Sequence, residues 1–443
     1  MGMAKPLLRP SWWAALLVVA LVAAACSGDD GTAAGGGCDG EIPEDSAIEI
    51  WWHEGAEAEV EALRSFVDEF NSSQEQVTAE LTLIPEADYA ATLSGAAASD
   101  DLPDVVDTDA SFAFNYAWSG DLQPIGSCIP DDIQNDLLPS IVNQGTYADQ
   151  VWAVGMFDSG LGLYADRTAL EEVGARIPSG PDDAWTVEEF DQILGDLQEA
   201  GYEHPLDVKK NYGQGEYYSY GFAPIVWSAG GDLINRDDFQ DADGALNSDA
   251  TVQALTEFQS WFEKGYVDEN TDDAAFIEGR SPISWVGHWE YNRYKETFGE
   301  DLVAVPLPDF GEGAATGQGS WQWAISSYSE DPDAAWAWIE FTLQPEQQQA
   351  IAEASGAIPS RQSVAEGTEK FGPGGDLELY VTQHEQEISV PRPPHPSYPT
   401  ISSAFNQAIQ TIIDGGEVKG ALDQAVAEIN GDIEDNEGYP PPE

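Results

Sequence analysis

Residues 47–55 read AIEIWWHEG, an alternating run that turns wholly apolar at Ile50-Trp51-Trp52 and stops at a histidine, a carboxylate and a glycine. Alternation followed by β-branched and aromatic residues predicts a strand entering a core. The next segment changes period. Val60, Leu63, Phe66, Val67 and Phe70 recur three and four residues apart, which predicts an amphipathic helix ending near Asn71. Residues 77–83 then read as a second strand, 89–98 as helical and 102–107 as a third short strand. Strands alternating with helices predict α/β architecture with mostly parallel sheets, whose ligands gather at the carboxyl ends of the strands. Those ends are residues 53–55 and 107–111.

Upstream of the first strand, Lys5 and Arg9 precede an apolar run from Trp12 to Ala25, and Ala23-Ala24-Ala25 leads directly into Cys26. This is the pattern of a secretory signal peptide, too short for a comfortable span of about 20 residues. Small residues before a cysteine, with Ser27-Gly28-Asp29-Asp30 after it, resemble the lipobox of a bacterial lipoprotein, although Ala23 stands where Leu or Val is usual. The resemblance implies that the Cys26 thiol carries a lipid. Plain secretion after cleavage near Ala25 is the alternative. Either way the chain works outside the membrane, where disulfides persist.

Acidic residues outnumber basic ones 81 to 16, a formal net charge of −65, while hydrophobic and aromatic residues make up 42% and 11% of the chain. The apolar content argues for a packed core rather than disorder. So negative a surface repels nucleic acid and anionic headgroups, which removes both as partners. Self-repulsion on this scale destabilises a compact state at low salt, so a saline habitat is expected. The length allows two or three domains.

Farther on, residues 151–157 read as a strand that runs through Asp158-Ser159-Gly160 into another at 161–164. Thr186, with Glu189 three residues later, forms a capping-box pattern for a helix. A helix over 249–264 follows a loop at 230–247; strands at 284–286 and 302–305 precede a Gly- and Trp-rich run, 317–325. Helices at 332–342, 345–354, 400–414 and 417–434 end in a Pro-rich acidic tail.

Catalytic constellations are absent from this pattern. The five histidines form no pair at metal-ligand spacing, and there is no His-Glu-x-x-His run, Walker loop or Gly-x-Ser-x-Gly elbow. No catalytic residue, metal or cofactor is therefore expected. Aromatic residues carry more information. Of the 15 tryptophans, Trp185, Trp261, Trp336 and Trp338 read as core, whereas Trp51, Trp227, Trp285, Trp289, Trp321 and Trp323 fall beside Gly, His or Asp in predicted loops or strand ends. Indole faces stack on the C–H faces of sugar rings while carboxylates and amides accept from sugar hydroxyls, so a neutral polyhydroxylated ligand needs both.

The order of pieces along the chain resembles a family. The lipobox, Ile48-Glu49-Ile50-Trp51-Trp52, Leu102-Pro103-Asp104-Val105-Val106 and Gly120-Asp121-Leu122-Gln123-Pro124-Ile125 come first. Leu161-Gly162-Leu163-Tyr164, Trp227-Ser228-Ala229-Gly230-Gly231, Gly287-His288-Trp289, Pro306-Leu307-Pro308 and Gly356-Ala357-Ile358-Pro359-Ser360-Arg361 follow. The set resembles the solute-binding proteins of carbohydrate ABC importers, the group that includes maltose-binding protein. That likeness implies the two-lobe, class II periplasmic-binding fold, each lobe a mostly parallel sheet flanked by helices, with hinge strands crossing near 155–160, 306–310 and 362–376. It implies a signal peptide over 1–25, a lipidated tether over 26–46 and a tail over 437–443. The first lobe would be 47–157 plus 307–362, and the second 158–306 plus 363–436.

Function follows from the same likeness: a monomer, anchored only by lipid at Cys26 on the outer face of the membrane, captures a sugar and delivers it to the permease's transmembrane subunits. An α-glucoside or longer oligosaccharide is expected. By position the ligand-binding residues would be Trp289 and Trp227 as stacking rings, Asp158 in the hinge, His53 and Glu54 at the first strand tip and Asp109 at the third. Trp321, Tyr398 and Arg392 complete the set. With Cys26 given to lipid, such a lipoprotein has Cys38 and Cys128 left for a bridge. Two other readings stay open: a binding protein for a polyamine, peptide or other solute, and a secreted glycoside hydrolase.

Overall fold

The computed structural model describes residues 38, 40–213 and 215–441. The signal segment, Cys26 and most of the tether lie outside them. In chain order the first elements are β1 (Ser46–Glu54), α1 (Glu57–Ser73), β2 (Val77–Pro85), α2 (Glu86–Ala97), β3 (Val105–Asp109) and α3 (Ala110–Ser119). The expected strand at 102–107 starts only at Val105. Pro103 lacks a ladder donor, and the Asp104 carboxylate instead accepts from the Glu49 backbone N–H at 2.9 Å. Short helices α4 (Asp131–Gln134) and α5 (Pro139–Gln144) lead to a hairpin, β4 (Thr146–Tyr147) and β5 (Gln150–Val151), then to β6 (Ala153–Val154) and β7 (Phe157–Asp158). The single strand expected over 151–157 is thus broken. Gly155 lies where a Cβ would meet the Trp321 and Phe157 carbonyls at 3.1 and 3.2 Å, and there the chain leaves one sheet for another.

The second half-sheet is built from β8 (Leu161–Asp166), β9 (Leu206–Asp207), β10 (Ile283–Gly287) and β11 (Leu302–Val305), with α6 (Arg167–Val173), α7 (Val187–Ala200), α8 (Glu216–Ser228), α9 (Asp249–Glu263) and α10 (Tyr291–Phe298) between them. The chain returns through β12 (Thr316–Gln318) to β13 (Trp321–Ile325), α11 (Pro332–Thr342) and α12 (Pro345–Ser355). It then passes through β14 (Ile358–Pro359), α13 (Gln362–Gly367), α14 (Glu378–Glu385) and β15 (Ser389–Pro391) to α15 (Tyr398–Ile413) and α16 (Val418–Asp435).

Two sheets result, in the orders β2-β1-β3-β13-β6 and β11-β8-β10-β9. Their directions agree with the expectation of mostly parallel sheets, since all strands but one in each run the same way. β1 pairs in parallel with β2 and β3, but β13 is antiparallel to both β3 and β6, and β8 is antiparallel to both β10 and β11. A strand that arrives from the other sheet starts at the edge where the native strands end, so it must run away from that edge. Between the sheets, β7 pairs with β14 and β12 pairs with β15. α1, α11 and α12 cover the first sheet with Leu63, Phe66, Phe70, Trp338, Ile339 and Ile351; α8, α9, α15 and α16 cover the second.

α8 is the longest of the elements missing from the sequence reading. Twelve of its thirteen positions carry no charge, and Tyr218 to Ser228 are all buried. A helix apolar on every side has no period to detect, and Gly221 and Pro224 read as breakers. The capping box at α7 is half formed: Thr186 Oγ1 accepts from the Glu189 N–H at 3.2 Å, while the Glu189 carboxylate turns to Arg176 at 2.7 Å. Cys38 and Cys128 form a disulfide across 90 residues. Among the described residues no helix is long and apolar enough to cross a membrane.

Candidate functional site

Both sheets turn the same kind of edge toward the crossing: Glu54, Asp109, Val154, Asp207, Gly287 and Val305 end strands there, and Leu161 and Trp321 begin them. On the first sheet, β1 ends in His53, which is 3% exposed. Its backbone N–H donates to Asp107 Oδ1 at 3.2 Å, and its Nδ1 lies 2.6 Å from Asp107 Oδ2. Nε2 is 3.8 Å from Glu59 Oε1. Burial alone would lower the His53 pKa, but Asp107, Glu59 and Glu86 together raise it to about 9, so the ring is cationic at neutral pH. The ring stacks on Trp321 with centroids 3.8 Å apart and planes 13° from parallel, and Tyr89 meets that indole edge-on at 5.7 Å. Trp321 itself stays half-buried, whereas Glu54, the residue after His53, is exposed.

Asp158 ends β7 and is 0% exposed. Its Oδ1 accepts from Gln144 Nε2 at 3.1 Å and from the Ser159 N–H at 2.8 Å; Oδ2 makes no hydrogen bond, and His384 Nδ1 lies 3.9 Å from it. Next to it, Ser159 Oγ and His288 Nε2 are 2.9 Å apart, and His288 Nδ1–H donates to the Ser355 carbonyl at 2.9 Å. Burial lowers the His288 pKa to about 4, which keeps the ring neutral. Gln318 Nε2 donates to His384 Nδ1 at 3.2 Å. Gln144 Oε1, Gln383 Oε1 and His384 Nε2 are buried atoms without partners. Unmet buried donors and acceptors are rare because each carries a desolvation cost of about 1–3 kcal/mol. Five such atoms near one crossing point to hydrogen bonds reserved for something that enters it; the fourth and fifth are Asp158 Oδ2 and Arg392 Nε.

On the second sheet, Trp289 follows β10 and is half-buried. Its ring folds back on Gly287, where a Cβ would lie 2.1 Å from the indole. The Trp289 Nε1–H donates to the Tyr212 hydroxyl at 3.0 Å, and the Tyr220 ring lies 6.2 Å away. Trp227 is placed differently. It ends α8 within the core of the second sheet, 8% exposed, with Nε1–H donating to Asp232 Oδ1 at 3.0 Å. Trp285 and Trp323, read from the sequence as strand-end residues, are buried inside β10 and β13.

Arg392, Asp109 and Tyr398 come together, but on one another. Arg392, 4% exposed, reaches Asp109 Oδ1 and Oδ2 at 2.7 and 2.9 Å and also pairs with Glu216. Tyr398 is 0% exposed and donates to Glu216 Oε1 at 2.5 Å. Asp109 also caps α3, accepting from the Ser111 N–H at 3.2 Å. The guanidinium lies 5.0 Å over the Tyr220 ring, so contacts run from Asp109 through Arg392 and Tyr220 to Trp289. A cavity of about 120 Å³ opens beside it, lined by Ser111, Phe114, Gln144, Gln318, Gly319 and Arg392 among others. Glu216, Tyr212, Tyr220, Gln144 and His384 were not singled out in the sequence. The only signal for the first three is the run Tyr217-Tyr218-Ser219-Tyr220 after the glycines at 213 and 215.

Residues 65–372 match the model of the bacterial extracellular solute-binding protein family. Over 230 residues, half of this chain, the sequence is 24% identical to the maltodextrin-binding protein MdxE of Bacillus subtilis. Over 324 residues, 70% of the chain, it is 25% identical to a maltotriose-binding protein of Pyrococcus abyssi. The matched segments span 53% and 65% of those two proteins. The fold is shared with the cyclic alpha-maltosyl-1,6-maltose binding protein from Arthrobacter globiformis: TM-score 0.71, 24% identity, 88% of this chain and 100% of that one. The matched stretch runs from the second half of α1 through β7, β12 and the Trp289 platform, and by it the chain belongs to the bacterial extracellular solute-binding proteins.

Proposed function

We propose that the chain captures an α-linked gluco-oligosaccharide between its two lobes and delivers it, chemically unchanged, to the transmembrane subunits of an ABC importer. The observation that carries this is the pairing of two half-buried indole faces, Trp321 and Trp289, with a crossing whose Asp158, Gln144, Gln383 and His384 hold unpartnered buried polar atoms. Flat apolar faces beside multiple acceptors and donors suit a sugar, whose rings carry C–H faces and hydroxyls at once. The relatives' names, for maltodextrin and maltotriose, point the same way. In this reading the chain acts as a monomer, held at the outer membrane face by lipid on Cys26, and its acidic surface is adapted to high salt.

An amine ligand is the second reading, favoured by Asp158 Oδ2, which is buried without a hydrogen bond in an aromatic, carboxylate-rich setting. Calorimetric titration with maltose, maltotriose and trehalose against spermidine and a tripeptide separates the two. Heat from an α-glucoside alone is expected; silence with every sugar overturns the proposal, and heat from spermidine alone installs the second reading. Removing one stacking face, Trp289→Ala, is expected to weaken binding about tenfold. Unchanged affinity takes Trp289 out of the site.

A further inference from the structure

Behind the Trp289 platform lies a charged cluster that fold stability does not call for. The Tyr212 hydroxyl, which accepts from the indole N–H, donates in turn to Glu290 Oε1 at 2.9 Å. Glu290 stands between two cations, Lys209 Nζ at 3.9 Å from Oε1 and Arg293 Nη1 at 3.3 Å from Oε2. Lys209 is 1% exposed. Its ammonium donates to Asp273 Oδ1 at 2.9 Å, lies 3.3 Å from Asp207 Oδ2 and sits over the Tyr294 and Tyr212 rings at 5.3 and 5.8 Å. Its backbone has φ 55°, the left-handed region that a residue with a Cβ avoids, and is held there by its N–H bond to Asp207 Oδ1 at 2.8 Å.

Buried ion pairs rarely stabilise more than an apolar cluster of the same size, and backbone strain gathers where function demands a geometry. We infer that Lys209, Glu290 and Tyr212 are positioning residues that fix the angle of the Trp289 ring before ligand arrives. The inference rests on Trp289 serving as the stacking face proposed above. Glu290 claims the Tyr212 hydroxyl proton, which leaves that oxygen only as an acceptor and commits it to the indole N–H. Gly287 closes the other side, so the ring cannot turn without losing a bond or meeting backbone. A platform already set in its bound rotamer loses less side-chain entropy when a sugar docks.

Two readouts test this on the intact chain. In ligand-free protein, the indole N–H resonance assigned with Trp289→Phe is expected to move in both Tyr212→Phe and Lys209→Met; a Tyr212→Phe spectrum with that resonance in place overturns the relay. With maltotriose as probe, Tyr212→Phe is expected to weaken binding roughly fivefold, the worth of one hydrogen bond. In the Trp289→Ala background the same change is expected to have no further effect. An equal loss in both backgrounds marks Tyr212 as merely structural and overturns the inference. If the unaltered chain binds no sugar, the proposed function falls while the resonance still decides the relay.

Discussion

His53 meets carboxylates from three different elements: Asp107 from β3, Glu59 from α1 and Glu86 from α2. Its folded pKa of about 9 exceeds the ordinary 6.5, so the stabilisation it provides is complete below pH 6.5 and drains away as pH rises through 9. The upper bound is about 3 kcal/mol. Burial also raises Glu59 to about 7 from 4.5, which acts in the same direction but mostly below the His53 window, as pH rises from 4.5 through 7. Urea unfolding at fixed molar salt is therefore expected to show lower stability at pH 9.5 than at pH 6.5, with the fall flattened in His53→Gln. A level wild-type profile contradicts the ion pair. A second residue-scale expectation concerns Gly287. Its φ of −101° suits any residue, so Gly287→Ala strains no backbone and acts only by pushing the indole away. Sugar affinity should drop at least tenfold with the melting temperature little changed, as read by titration and calorimetry.

At the scale of elements, the α7 start offers a clean contrast. Thr186→Ala removes the cap and should lower stability by about 1 kcal/mol. Glu189→Gln removes only its exposed pair with Arg176 and should cost less than about 0.5 kcal/mol. Equal effects from both would restore the reciprocal capping box. The amphipathic helices and the alternating strands of this chain were legible because each buries one face, and burial of one face writes a period into the sequence. α8 was not, being buried all round, and β7 was not, because two residues carry no period. The reversal of one strand in each sheet, β13 and β8, was illegible for another reason: it depends on which edge the chain enters from, and local pattern holds no record of that.

Across the whole molecule, a formal charge of −65 predicts that the unfolding midpoint rises from low to molar salt as screening shortens repulsion below about 8 Å. A midpoint indifferent to salt removes the saline reading. The same scale sets how far the site was readable. Strand tips and the Gly287-His288-Trp289 turn marked its borders, since ligands gather where strands end. The chemistry between the borders was hidden, because Arg392 meets Asp109 and Glu216 only after 283 and 176 residues of intervening chain fold back. An arginine among so many surface acids gave no hint of which two it would choose. Trp227 shows the reverse: its Gly-Gly neighbours suggested a loop, and the indole N–H went to Asp232 instead.

Arg392 follows β15 where it pairs with β12, so it stands on the line between the sheets. Its two carboxylates come from opposite sides, Asp109 at the start of α3 and Glu216 at the start of α8. Points on a rotation axis travel least. If the lobes swing about that line, this pair of contacts is a pivot pin, and opening does not have to break it. Being 4% exposed, the pin is also sheltered from the dissolved ions that would screen an outer ion pair. On such a hinge, salt would tune how strongly the two jaws repel each other without loosening the bearing on which they turn.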